Sequence, residues 1–113
     1  MNPKYKQTLQ QLGVSPESIG YWYTLSALEL ASQDTMALTY VTKRVYQVIA
    51  GRHAVTPECI EGALRRTVKS IWLYGNRGLL EEIVHHTLPE PPTASHFLGQ
   101  MVAWCEEDAV IPL

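Results

Sequence analysis

Seven cations, Lys43, Arg44, Arg52, Arg65, Arg66, Lys69 and Arg77, fall within residues 42–78, where the only acidic residues are Glu58 and Glu61. A guanidinium can pair in bidentate fashion with the edge of guanine, and a carboxylate can accept from the amino group of cytosine. Lysines and outlying arginines suit phosphate oxygens, which fix position without reading sequence. The chemistry open to this set is recognition of a polyanion. This stretch has a net charge of +5, against −1 for residues 1–41 and −6 for residues 79–113. The overall charge of −2 therefore conceals a basic block within an acidic chain, which is the form an electrostatic footprint on phosphate takes. A solvated charged face would show the same pattern.

Other groupings point to less. His85, His86, His96 and Cys105 are the nearest approach to a metal-ligand set, but adjacent histidines on a helix point to different faces, and no metal site is expected. Cys59 and Cys105 have no CxxC partner, and no disulfide is expected between cytosolic thiols. No serine, cysteine or carboxylate has catalytic spacing, and no glycine loop is built to cradle phosphate. Neither an enzyme nor a cofactor is expected. Tyr21, Trp22 and Tyr23 read as core and rim aromatics, since a base-stacking platform would come with local cations. The acidic end, Glu106-Glu107-Asp108, reads as a solvated tail.

The elements that must position the cations are helices. Pro3 to Leu12 reads as a first helix stopped by Gly13, where a left-handed cap costs glycine nothing. Ser15-Pro16 reads as a cap and first helical position, ahead of an apolar helix from Ile19 to Ala31. Thr35 to Tyr40 reads as a short turn. A helix from Thr42 to Ala50 should bury Val45, Val48 and Ile49, show Lys43, Arg44 and Gln47, and end at Gly51. Thr56, Pro57 and Glu58 give the clearest helix start in the chain, and that helix should run to Tyr74 before Gly75-Asn76. A shorter helix is expected from Gly78 to His86. Pro89, Pro91 and Pro92 then form a stiff connector, and Thr93 caps a last helix from Ala94 to Glu106. No hairpin alternation is present, so the expected class is all-α, a bundle of about six helices.

Spacing of 100° per residue divides the helix after Thr56 into two faces. Ile60, Ala63, Leu64, Thr67, Val68 and Ile71 form an inner stripe. Glu58, Glu61, Gly62, Arg65, Arg66 and Lys69 lie outside. The small Ala50 allows a close crossing by the preceding helix, with Val55 and Ile60 filling the corner. Two helices joined by a short turn, the second basic outside and apolar inside, make a helix-turn-helix over about residues 42–75. Glu58, Glu61, Arg65 and Arg66 would then face a major groove, and Lys43, Arg52, Lys69 and Arg77 would meet phosphates. Amides near Thr56 would hold a further phosphate through the helix dipole. Such helix pairs also serve as plain packing units.

At 113 residues the chain is expected to be one domain that folds without disulfide or metal. No apolar run approaches membrane-spanning length, and the polar start lacks the apolar core of a signal peptide. A cytoplasmic location is expected.

Nearly the whole sequence resembles a known family, the C-terminal effector domain of the stage-zero sporulation response regulator. The matching residues are Leu12-Gly13-Val14, Gly20-Tyr21, Tyr23, Val41-Thr42-Lys43 and Ile49-Ala50, followed by Thr56, Ile60-Glu61, Ala63-Leu64-Arg65, Trp72 and Gly75-Asn76. Pro92-Thr93, Ser95, Phe97 and Met101-Val102-Ala103 complete the set. The resemblance implies a six-helix fold, sequence-specific binding to double-stranded DNA, tandem homodimers on the site and contact with RNA polymerase. In that family the domain follows a phosphorylatable receiver; these residues lead to the expectation of a stand-alone effector domain without such control in cis. The family carries arginines where this chain has Cys59, Gly62 and Tyr74, and often histidine at Arg66, whereas Glu61 and Arg65 are kept. Each lost bidentate pair removes roughly 1–3 kcal/mol of base discrimination. Two functions follow: a DNA-binding transcriptional regulator, or an interaction module that kept the fold, lost readout and modulates a full-length relative.

Overall fold

In a computed structural model describing residues 3–85, 87 and 89–107, the chain is a bundle of six α-helices, and none of the described residues is in a strand. The helices are α1 (Lys4–Leu12), α2 (Ile19–Gln33), α3 (Gln47–His53), α4 (Pro57–Tyr74), α5 (Arg77–Val84) and α6 (Ala94–Glu107), with a π-helical turn (Thr42–Tyr46) running into α3. α2 lies at the centre and packs against α1, α3, α4, α6 and the π turn. Its crossing with α4 depends on Gly20, because a Cβ there would collide with the hydroxyl of Thr67. That hydroxyl donates to the Ala63 carbonyl. The core between these layers includes Leu9, Leu12, Leu28, Ile49, Ile60, Leu64, Leu80 and Phe97, all nearly inaccessible to solvent.

Most helix boundaries follow their capping chemistry. Gly13 adopts φ 101° and ends α1, and Thr93 Oγ1 accepts from the His96 amide at the start of α6. Others move. Ser18, two residues past Pro16, is the cap of α2, its hydroxyl accepting from the Tyr21 amide. Ser15 instead closes a turn, accepting from the Glu17 amide. Gly51 does not stop α3. The helix runs on to His53 and ends at Ala54, which takes the left-handed conformation at φ 54°. Nothing lies within 4 Å of a Cβ at Gly51, so its lack of a side chain serves no packing need.

The π turn changes which residues of the third helical segment face inward. The Gln47 amide bonds the Thr42 carbonyl, five residues back, which places an extra residue in that turn. Val45, Tyr46, Ile49 and Ala50 are buried together. Val48 lies off that face and is exposed, contrary to expectation. Val55, expected to fill the corner between the helices, is also exposed. His53 stacks edge-on against Tyr23, with ring centroids 5.2 Å apart, and ties the end of α3 to α2. The helix expected from Gly78 to His86 is α5, which starts one residue earlier at Arg77 and stops at Val84, where His85 takes the left-handed conformation at φ 67°; His86 lies outside the described residues.

The two ends of the described chain meet in the core. The Tyr5 hydroxyl donates to Glu106 at 2.8 Å, and Thr8 Oγ1 lies 3.7 Å from Cys105 Sγ. Burial first, and then the hydrogen bond to Glu106, raise the Tyr5 phenol well above its usual range. A folded-state value above the unfolded one stabilises fully below the unfolded phenol value of about 10, and that contribution is lost as pH rises toward the folded value. Denaturant midpoints should therefore decline above about pH 10, and Tyr5→Phe should flatten that decline. An identical alkaline profile in the variant would assign the loss to other groups.

Candidate nucleic-acid interface

α4 begins where the sequence signals it. Thr56 Oγ1 accepts from the Cys59 amide at 3.1 Å, Pro57 takes the first position and Glu58 lies in the first turn. Removing such a cap costs about 1 kcal/mol. Thr56→Ala is expected to lower the unfolding free energy by that amount, read from the urea midpoint, and Thr56→Ser to restore it. The use of the hydroxyl as a cap also limits the expected anion seat at this end. Pro57 has no N–H and the Cys59 amide is taken, so Glu58 supplies the one remaining amide of the first three positions.

All six residues of the inner stripe, Ile60, Ala63, Leu64, Thr67, Val68 and Ile71, are buried. On the outer side Glu58, Arg65, Arg66 and Lys69 are exposed, and Glu61 is half-buried. Arg65 Nη1 pairs with Glu61 Oε1 one turn back. With the two side chains 63% and 41% exposed, this pair contributes only a few tenths of a kcal/mol and holds Arg65 loosely. Glu61 and Glu58 also line a small cleft with Pro57 of α4 and with Thr42 and Tyr46 of the π turn. Burial, and then the charge of Glu61, push the Tyr46 phenol up.

Gly62 departs from the expected outward face: it is buried, although its cover comes from two arginine arms. A Cβ at Gly62 would stand 3.2 Å from Arg66 Nη1 and 3.7 Å from Arg65 Nη2. Glycine inside a helix is about 1 kcal/mol less favourable than alanine. The arm of Arg66 also borders a groove of about 360 Å³ between α4 and the α1–α2 connection, walled by Gly13, Val14, Ser18 and Gly20 with Ala63, Thr67 and Ser70. This groove escaped the sequence reading, because it arises where two distant segments meet at Gly20. The closeness of Gly62 and Arg66 was legible from their four-residue spacing.

The flanking cations divide. Lys43 on the π turn, Arg52 on α3 and Lys69 on α4 are exposed, and none of them pairs with a carboxylate among the described residues. Arg77 is engaged within the molecule. Its guanidinium lies 4.2 Å from the centroid of the Trp72 ring, and its Nε is 3.5 Å from Glu81. Arg44 is bonded to Asp34 at 3.0 Å, with its guanidinium 5.4 Å from the Tyr40 ring centroid. Cys59 is exposed and Cys105 buried, both as free thiols. Among the described residues no cluster of three His, Cys, Asp or Glu is placed to hold a metal ion, and no helix is long and apolar enough to cross a membrane. Asp108 and His86 lie outside the described residues.

The chain is thus a six-helix all-α body that shows solvent a capped helix with cations along its outer side. Residues 5–104 match the family described as Sporulation initiation factor Spo0A C terminal, and the chain belongs to that family. The family is a DNA-binding transcription-factor domain and not a family of enzymes.

Proposed function

We propose that this chain is a transcriptional regulator that binds double-stranded DNA sequence-specifically, using α3, the turn Ala54-Val55-Thr56 and α4 as a helix-turn-helix. Arg65 and Arg66 meet base edges, with Glu61 and Glu58 accepting from cytosine where they reach one. Lys43, Arg52 and Lys69 meet phosphates. Arg77 joins them by keeping its seat on Trp72 and turning an N–H outward, and the Thr56 cap fixes the angle at which α4 leaves the turn. The observation that carries this reading is the outer face of α4: Arg66 and Lys69 stand exposed without a carboxylate partner among the described residues. Unpaired cations in a row attract a polyanion, and neighbouring Arg65 is held only by a weak surface pair.

Fluorescence anisotropy with a labelled duplex at several salt concentrations tests it. Affinity should fall linearly with salt on a log–log plot, by about 0.9 for each phosphate neutralised. Dissociation constants above about 10⁻⁴ M at low salt for every duplex would refute the proposal, since non-specific binders already reach that range. Pairing of two copies along the DNA and contact with RNA polymerase belong to the same proposal.

A second reading, the interaction module that modulates a full-length relative, is favoured by the end of α4. Tyr74 is 85% exposed and Leu73 47%, an apolar surface at the far end of the same helix from Cys59 and Gly62, where cations are lacking. Light scattering coupled to size exclusion, alone and with a full-length relative, separates the two. A stable complex that forms without DNA and buries Tyr74 supports the module.

A further inference from the structure

Gly62, the one glycine within α4, differs from the two glycines packed at its borders. At Gly75 a Cβ would strike the backbone carbonyl of Leu12, and at Gly20, facing α4, it would strike Thr67; both are required by close packing. At Gly62 the nearest atoms are the far ends of the Arg65 and Arg66 side chains, which can swing aside. The body of the protein therefore tolerates a side chain at residue 62, and yet the least helix-favouring residue other than proline occupies it. The guanidinium lying closest over that bare backbone, Arg66, pairs with no carboxylate among the described residues. Gly51 shows the contrast, since no side chain lies over it.

We infer that Gly62 and Arg66 act as one specificity-determining unit, in which bare helix backbone admits a base pair close to α4 and the Arg66 guanidinium distinguishes a guanine there. The unit rests on the DNA-binding reading above and adds the residues that set its selectivity. When Arg66 extends toward a ligand it uncovers the Gly62 backbone, which opens a shallow notch halfway along the cationic face. A guanidinium in that position reaches the O6 and N7 acceptors of guanine with two parallel N–H bonds, a geometry lysine cannot reproduce. A methyl group at residue 62 narrows the notch and displaces Arg66.

The test uses the full chain with two probes, the best duplex it selects from a randomised pool and an unrelated duplex of equal length. Arg66→Ala is expected to reduce the ratio of the two affinities roughly 5- to 150-fold, the worth of one bidentate base contact, and Arg66→Lys to recover little of it. Gly62→Ala should reduce the same ratio while its thermal midpoint is equal to or above that of the parent, so the loss cannot be laid to misfolding. The double variant should select no worse than Arg66→Ala alone. Equal weakening on both duplexes by Arg66→Ala would make Arg66 a phosphate contact and overturn the inference. So would a Gly62→Ala protein that selects like the parent. Failure of the parent to bind any duplex would instead remove the DNA-binding reading itself, and the unit with it.

Discussion

The Lys43→Ala/Arg52→Ala/Lys69→Ala protein is expected to bind duplex DNA on the order of 10²-fold more weakly than the parent at 0.1 M salt. Each neutralised phosphate adds about 0.9 to the log–log salt slope, so losing three contacts should flatten it by up to about 2.7. All three side chains are exposed and unpaired among the described residues, so truncating them should leave stability within about 0.5 kcal/mol. Anisotropy titrations at four salt concentrations, beside a urea melt, measure both quantities. An unchanged slope would mean that the π turn, α3 and the middle of α4 do not face the phosphates together. A lost fold would assign these cations a structural part that their surroundings do not show.

The largest effect on stability is expected from Gly75→Ala. Gly75 closes α4, its amide bonded to the Ile71 carbonyl at 2.9 Å, and the next amide, of Asn76, bonds the Leu12 carbonyl at 2.9 Å. A Cβ at Gly75 would run into that same carbonyl and stand 3.0 Å from the Ile71 backbone. Backbone atoms on both sides cannot rotate away as a side-chain end can. The cost expected for such overpacking is about 1–3 kcal/mol, which for a domain of this length lowers the melting temperature by roughly 5–20 °C. Gly51→Ala is the control: it has open space around it and lies within α3, so helix propensity alone should raise stability by up to about 1 kcal/mol. Differential scanning calorimetry of the pair should show shifts of opposite sign. A melting temperature unchanged by Gly75→Ala would mean that the α1–α4 contact at Leu12 is not part of the cooperative fold.

What could be read in the sequence was what local chemistry dictates. Thr56-Pro57 gave the start of α4 and Gly75 its end, because a cap, a proline and a terminal glycine act within a few residues of themselves. The inner stripe from Ile60 to Ile71 was legible because an undistorted helix keeps 100° per residue. The reading failed where that phase broke. A π turn at Thr42–Tyr46 has no signature in the residues it contains, and it moved Val48 out of the core. Glycine commonly marks a helix end, but α3 runs past Gly51 and Ala54 takes the left-handed conformation instead. The candidate interface was legible as a set of cations, though not as a set of partners. Nothing in the spacing of Arg77 and Trp72, or of Arg44 and Asp34, tells which arginines are already engaged. That depends on how α5 returns to α4 and how the π turn faces Asp34, both of them tertiary facts.

In the proposed function the outer side of α4 is the surface that meets DNA. It can be tested directly by recording the amide spectrum of the isotopically labelled protein during titration with a duplex selected from a random pool. Expected are shifts at the amides of Glu58, Glu61, Gly62, Arg65, Arg66 and Lys69, with smaller ones at Lys43 and Arg52, while α1 and α6 stay in place. Shifts gathered on α5 and α6, with the outer side of α4 silent at saturation, would contradict it.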